Sequence, residues 1–166
     1  MTDITSFDIA ASRQGASPAF DIIERMFFGY RDFVGVADEA LRQTGYGRAH
    51  HRVLHFVDRH PSLTVGELLK ILKVTKQSLA RVLRTLIDDG LIEAIPGEKD
   101  RREKHLSTTL EGHRLARRLA QLQTARIETA LAAVGPAERE TIAAFLGALV
   151  NEDERAAVLS IIQQGR

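Results

Sequence analysis

The sequence predicts a mainly α-helical chain with one small β-hairpin, in the order of a helix-turn-helix followed by a wing. Three observations predict it: apolar residues recur at helical spacing along most of the chain, two short helical stretches are parted only by Val74-Thr75, and two brief β-branched segments flank a charged tip. With 166 residues, 44% of them hydrophobic and 27% charged, the chain can bury a real core, which sets aside global disorder and fibrous repeats.

Residues 1 to 19 mix small and polar side chains without a period and are expected to form a flexible arm. From Phe20 to Thr44 the stripe Ile23, Met26, Phe27, Tyr30, Phe33, Val34, Ala37 and Leu41 predicts a first helix, stopped by Gly45-Tyr46-Gly47. Arg48 to His60 carries Ala49, Val53, Phe56 and Val57 on one side and closes at Pro61, a second helix. Thr64 with Glu67 three residues on has the spacing of a capping box, opening a short third helix through Leu68, Leu69 and Leu72. Thr75 is the expected N-cap of a fourth helix bearing Leu79, Val82, Leu83 and Leu86, with Gly90 suited to the left-handed position after its end. Leu91 to Ile95 and Lys104 to Thr108 then predict the hairpin. Thr109 caps a long fifth helix reaching Gly135-Pro136; a sixth follows with Ile142, Phe145, Leu146, Leu149 and Val150. Asn151, with acids in the next turn, predicts a capped seventh helix carrying Val158, Leu159 and Ile162.

The chain has no cysteine, which removes disulfides, thiolate metal sites, iron-sulfur ligation, a cysteine nucleophile and thiol redox sensing. Asp3, Asp8 and Arg13 interrupt the N-terminus, and Ala143 to Val150 is too short to span a bilayer, so a soluble cytoplasmic protein without membrane attachment is expected. A net charge of +1 conceals an uneven distribution. Residues 1 to 46 carry four basic and seven acidic side chains, residues 47 to 109 twelve and eight, and residues 110 to 166 seven and seven. Only the middle is cationic, which suits a local polyanion-binding surface.

The fourth helix offers the groups that reading DNA requires. Gln77 can hydrogen-bond adenine twice, Lys76 can reach guanine acceptors, Thr75 and Ser78 can serve bases or phosphates, and Arg81 and Arg84 can face the backbone. The bland alternative is a surface helix with solvated charges. In the hairpin, Lys99, Arg101, Arg102 and Lys104 are nearly balanced by Glu98, Asp100 and Glu103, so arrangement must matter more than sum. Asp100 has the spacing to brace Arg102 by a bidentate pair for entry into a minor groove.

His51, His55 and Asp58 fall within about 60° of one another around the second helix, a donor set that could bind zinc or a similar metal, or more ordinarily form a polar face. That set is also the best case for an enzyme, a metal-dependent hydrolase. There is no glycine-rich phosphate loop, nucleophile elbow or metalloprotease motif, so neither an enzyme nor a cofactor is expected. A winged-helix module binding protein rather than DNA is the third class.

These residues resemble the MarR family of winged helix-turn-helix regulators over roughly residues 20 to 150. The resemblance rests on Asp100-Arg101-Arg102-Glu103-Lys104-His105-Leu106-Ser107-Thr108-Thr109-Leu110-Glu111-Gly112, with support from Gly47-Arg48-Ala49-His50-His51-Arg52-Val53-Leu54 and Val74-Thr75-Lys76-Gln77-Ser78-Leu79. Thr108 departs from it, standing where the family usually has an aliphatic residue. The resemblance implies a triangular homodimer whose first, fifth and sixth helices interlock, and two winged domains that read a pseudo-palindromic operator. It divides the chain into a dimerisation helix within 20 to 46, a DNA-binding domain at 47 to 109, and a linking helix with C-terminal dimerisation helices at 110 to 166. The broad apolar stripes of the terminal helices agree, since a chain this short covers them only with a second copy. It further implies a repressor released by a small-molecule effector, with His51 and His55 lining a pocket and Tyr30 and Arg31 forming the opposite wall. An arginine there suits a carboxylate or phenolate, unless Arg31 pairs with Asp32, Asp38 or another acid.

Overall fold

The computed structural model describes residues 18–97 and 103–165. The expected arm thus falls outside the described residues as far as residue 17, and so do Glu98, Lys99, Asp100, Arg101 and Arg102 at the hairpin tip. Two units make up the chain, residues 1–32 and 33–166. Among the described residues no helix is long and apolar enough to cross a membrane.

The described part of the first unit belongs to helix α1, Phe20–Leu41. Its apolar residues stand open in a single chain: Phe27 is 71% exposed, Tyr30 61% and Phe20 63%. Within this unit the Arg31 Nε donates to Asp32 Oδ1 at 2.8 Å, and its guanidinium lies 5.0 Å from the centre of the Phe28 ring.

The second unit takes in the end of α1, then α2 (Arg48–Arg59), β1 (Leu63–Thr64), α3 (Val65–Leu72), α4 (Lys76–Asp88), β2 (Ile92–Pro96), β3 (Lys104–Thr108), α5 (Leu110–Val134), a 3-10 turn at Pro136–Glu138, α6 (Arg139–Ala148) and α7 (Glu152–Gln164). α1 ends at Leu41 rather than Thr44, because Thr44 turns back and both its amide and its hydroxyl donate to the Leu41 carbonyl, at 2.9 and 2.8 Å. The main core gathers Val53, Leu54 and Val57 of α2, Leu68 and Leu72 of α3, Leu79, Leu83 and Leu86 of α4, Ile92, Leu106 and Ala116. A smaller cluster joins Ala37 and Leu41 of α1 to Leu119 of α5.

The capping residues act as their spacing requires. The Glu67 amide donates to Thr64 Oγ1 at 3.2 Å while the Thr64 amide donates to Glu67 Oε2 at 2.8 Å, a closed capping box that holds the Glu67 carboxyl below its ordinary range. Thr109 accepts from the Gly112 amide at 3.1 Å and donates to the Gly90 carbonyl at 2.6 Å, which pins α5 to the end of α4. Gly90 has φ +71°, and its amide donates to Ile87 as that of Leu91 donates to Leu86, at 3.0 and 2.9 Å. That pair is the Schellman closure of α4. It occupies the Leu91 amide, so the first hairpin strand begins at Ile92, one residue later than expected. At Asn151 the helix starts but no side chain caps it, and the acids Glu152, Asp153 and Glu154 alone complement its dipole.

The sheet has three antiparallel strands in the order β1-β3-β2, with Leu63 opposite Leu106 and Ala94 opposite Leu106 on the other side. Sequence reasoning missed β1. Its two residues offer no alternation to detect, and only pairing with β3 makes them a strand.

Candidate nucleic-acid interface and adjoining cleft

Only Lys73, Val74 and Thr75 separate α3 from α4, and Lys73 takes the left-handed conformation at φ +52° to make the turn. The Arg52 guanidinium donates to the Leu72 carbonyl at 3.3 Å, placing a cation at the C-terminal end of α3. Helix α4 buries Leu79, Leu83 and Leu86, which leaves Lys76, Gln77, Ser78, Arg81 and Arg84 exposed. Thr75 caps this helix: its Oγ1 accepts from the Ser78 amide at 3.2 Å and donates to Ser78 Oγ at 2.9 Å. The two hydroxyls therefore engage each other at the helix start. No acid stands in the first turn, where one would ordinarily offset the positive end of the dipole, so Lys76 and the free amides there present a field suited to an anion.

A groove of about 320 Å³ between α4 and the sheet is lined by Lys76, Arg84 and Lys104, with Asp88 and the apolar Val65, Ala80, Ile87 and Leu106. Among the described residues Lys76, Arg81, Arg84 and Lys104 have no ion-pair partner, whereas Arg48 is held by Asp38, Lys73 by Glu154 and Arg139 by Glu128. The remaining hairpin candidates, Asp100, Arg101 and Arg102, lie outside the described residues. The strands on either side are tied by the Gly97 amide donating to the Glu103 carbonyl at 2.8 Å.

Beside α2 and α5 lies a larger cleft of about 670 Å³. His55, Asp58, Arg59, His60, Thr108, His113 and Arg117 are among its polar lining, and Phe33, Phe56, Ile127 and Ile161 are among its apolar walls. Of the pocket residues expected from sequence, His55 opens onto this cleft. His51, its neighbour at 6.5 Å between ring centroids, borders a closed gap against Leu54 and Leu115 that has no free volume. Tyr30 and Arg31 belong to the first unit. Burial, then the nearby His51 and Arg59, hold the His55 imidazole below its ordinary range, and burial does the same to His51 and His60. Sequence reasoning passed over Arg59, His60, His113 and Arg117. Nothing in helical spacing reports that α5 lies against α2.

The metal-binding alternative does not assemble. Asp58 Oδ1 accepts from Thr108 Oγ1 at 3.0 Å and from His113 Nδ1 at 2.7 Å. Shared angle around a helix leaves out axial rise: seven residues separate His51 from Asp58, about 10.5 Å along α2, too far for one ion. Among the described residues no group of three or more histidine, aspartate or glutamate side chains is placed to hold a metal.

The tight α3–α4 turn, the exposed cationic start of α4 and the adjoining three-stranded sheet define a winged helix-turn-helix protein. The MarR family model matches residues 44–103. The chain is 54% identical over 114 residues to the HTH-type transcriptional regulator PetP of Rhodobacter capsulatus, covering 69% of each chain. Among solved structures it is similar to Streptococcus pneumoniae FabT in complex with DNA, at a TM-score of 0.70 and 22% identity, covering 78% of this chain and 93% of that one. S. aureus MepR in its DNA-binding conformation matches at a TM-score of 0.65 and 21% identity, covering 79% and 96%. The chain belongs to the MarR family of winged helix-turn-helix transcriptional regulators.

Proposed function

We propose that this regulator is a homodimeric repressor that reads a pseudo-palindromic operator and releases it when a small anionic, aromatic compound binds. The observation that carries the DNA reading is the convergence of Lys76, Arg84 and Lys104, none ion-paired among the described residues, on one groove beside the exposed Gln77. Gln77 and Lys76 address base edges. Arg81, Arg84 and Lys104 hold phosphates, and Thr75 and Ser78 fix the helix start through which the backbone amides meet the DNA. Arg101 and Arg102, the latter braced by Asp100, complete the contact at the wing. The DNA complex of FabT, a protein of the same fold, supports the reading that this fold engages DNA.

The domain plan follows: the helix within 20 to 46 and the segment 110 to 166 build the dimer around the DNA-binding part at 47 to 109. Open apolar residues support it in each unit, with Phe27 at 71% in the first and Leu146 at 54% and Ile162 at 60% in the second. The effector reading rests on the cleft at His55, Arg59, His60, His113 and Arg117, whose two guanidinium groups and apolar walls suit an aromatic carboxylate. A hundredfold preference for the DNA-incompetent dimer would supply about 2.7 kcal/mol of coupling.

Calorimetry with benzoate and 2-naphthoate, on the free protein and on its DNA complex, tests the release. A compound that binds both with equal affinity is not an inducer. For a compound that does discriminate, unchanged binding to the His55→Ala and Arg117→Ala variants would place the pocket elsewhere, with Arg31→Ala and His51→Ala deciding whether the wall at Tyr30 and Arg31 takes part.

A further inference from the structure

Among the described residues Asp58 is the one carboxylate lining the α2–α5 cleft, which His55, Arg59, His60, His113 and Arg117 also line. Its side chain is 11% exposed. The same oxygen, Oδ1, receives a hydrogen bond from α5 through His113 Nδ1 and one from β3 through Thr108 Oγ1. Thr108 is the residue that departs from the family pattern, and an aliphatic side chain in its place could not make this bond. Along β3, Thr108, Leu106 and Lys104 alternate onto one face of the strand. Leu106 is buried at 1% exposure in the core, and Lys104 reaches the groove that Lys76 and Arg84 also line. One strand therefore runs from the cleft to the proposed reading face, about 13 Å over four residues. It is also the central strand, paired on both sides, so moving it moves β1 and β2 with it.

We propose that Asp58 and Thr108 couple the cleft to the wing: the carboxylate sets the position of β3, and an anion in the cleft resets it by drawing His113 away from Asp58. Both are positioning residues, acting on DNA through Lys104 and the hairpin. The proposal rests on the DNA-binding reading above and adds the route by which the cleft is felt. Coupling needs a packed element that both sites bias, and β3 is such an element.

The test is a double-substitution cycle that needs no effector. The wild-type chain, Asp58→Ala, Thr108→Val and the double variant are each titrated with the tightest duplex that the wild type selects from a random pool, at several salt concentrations. Asp58→Ala is expected to weaken binding about tenfold, within the usual range of coupling. Its salt slope should fall by about one unit, because the loss passes through the phosphate contact of Lys104. In the Thr108→Val background the same substitution should change the affinity less than twofold, and with Thr108→Ser, which keeps the hydroxyl, the tenfold effect should return. Equal loss in the wild-type and Thr108→Val backgrounds, or no loss in either, overturns the coupling. Should Asp58→Ala lose its helical circular dichroism, Asp58→Leu, which keeps the side-chain shape without an acceptor, is carried through the same cycle with the same expected pattern. A wild-type chain that selects no duplex would overturn the DNA reading itself, an outcome distinct from an additive cycle on intact binding.

Discussion

Lys76 and Gln77 stand side by side at the exposed start of α4, while Arg84 lies two turns further along the helix. That separation divides reading from holding. Replacing Gln77 with alanine should cost about 1 to 3 kcal/mol on the selected duplex and leave random-sequence binding nearly unchanged. Arg84→Ala should weaken all duplexes alike and lower the salt slope by about one unit, as loss of one phosphate contact requires. Equal losses on selected and random duplexes in the Gln77 variant would remove it from the readers. Gly112 is constrained by geometry rather than chemistry, since a Cβ there would fall well inside contact distance of the Leu91 backbone carbonyl. Backbone cannot swing aside as a side chain can, and Gly112→Ala should destabilise the fold by about 3 kcal/mol in urea unfolding. A loss under about 0.5 kcal/mol would mean that α5 can move off the Leu91 carbonyl at little cost.

Between elements, the contact of most consequence is Tyr46, whose hydroxyl donates to Asp89 Oδ2 at 2.7 Å and so ties the α1–α2 loop to the end of α4. Burial first, then Asp89 through its hydrogen bond and charge, push the Tyr46 hydroxyl up to about 12. The folded state thus keeps this proton better than the unfolded chain does. The stabilisation is complete below pH 10, the ordinary tyrosine value, and is lost as pH rises from there toward 12. Tyr46→Phe should remove that alkaline dependence, measured as urea midpoints across the window, and an unchanged slope would assign it to other groups. Contacts of this kind explain what the sequence disclosed and what it withheld. Thr64, Thr75, Gly90 and, in its capping of the Gly112 amide, Thr109 act on residues within a few positions, so these roles were legible from local spacing. The strand at Leu63–Thr64 and the junction of Asp58, Thr108 and His113 depend on partners 41 to 55 residues away and leave no periodic trace. The cationic start of α4 was legible because it is one helical turn. The adjoining groove was not, because Lys104 reaches it only through the pairing of β3.

Across the molecule, apolar residues left open in a single chain are too many for a stable monomer: Phe20, Phe27, Phe28 and Tyr30 in the first unit, and Val134, Phe145, Leu146, Leu149 and Ile162 in the second, are each at least 48% exposed. A second copy that covers them makes folding and association one equilibrium, so the melting temperature should rise with protein concentration. A melting temperature constant over a hundredfold range, with a monomer mass in sedimentation, would contradict the dimer. Sequencing of the duplexes this chain enriches from a random pool shows whether paired α4 helices read duplex DNA. Two inverted half-sites with centres about 10 base pairs apart, one turn of the duplex, are expected, as two recognition helices of a symmetric dimer require. Enrichment of a single uninverted site, or none above the starting pool, would contradict that reading.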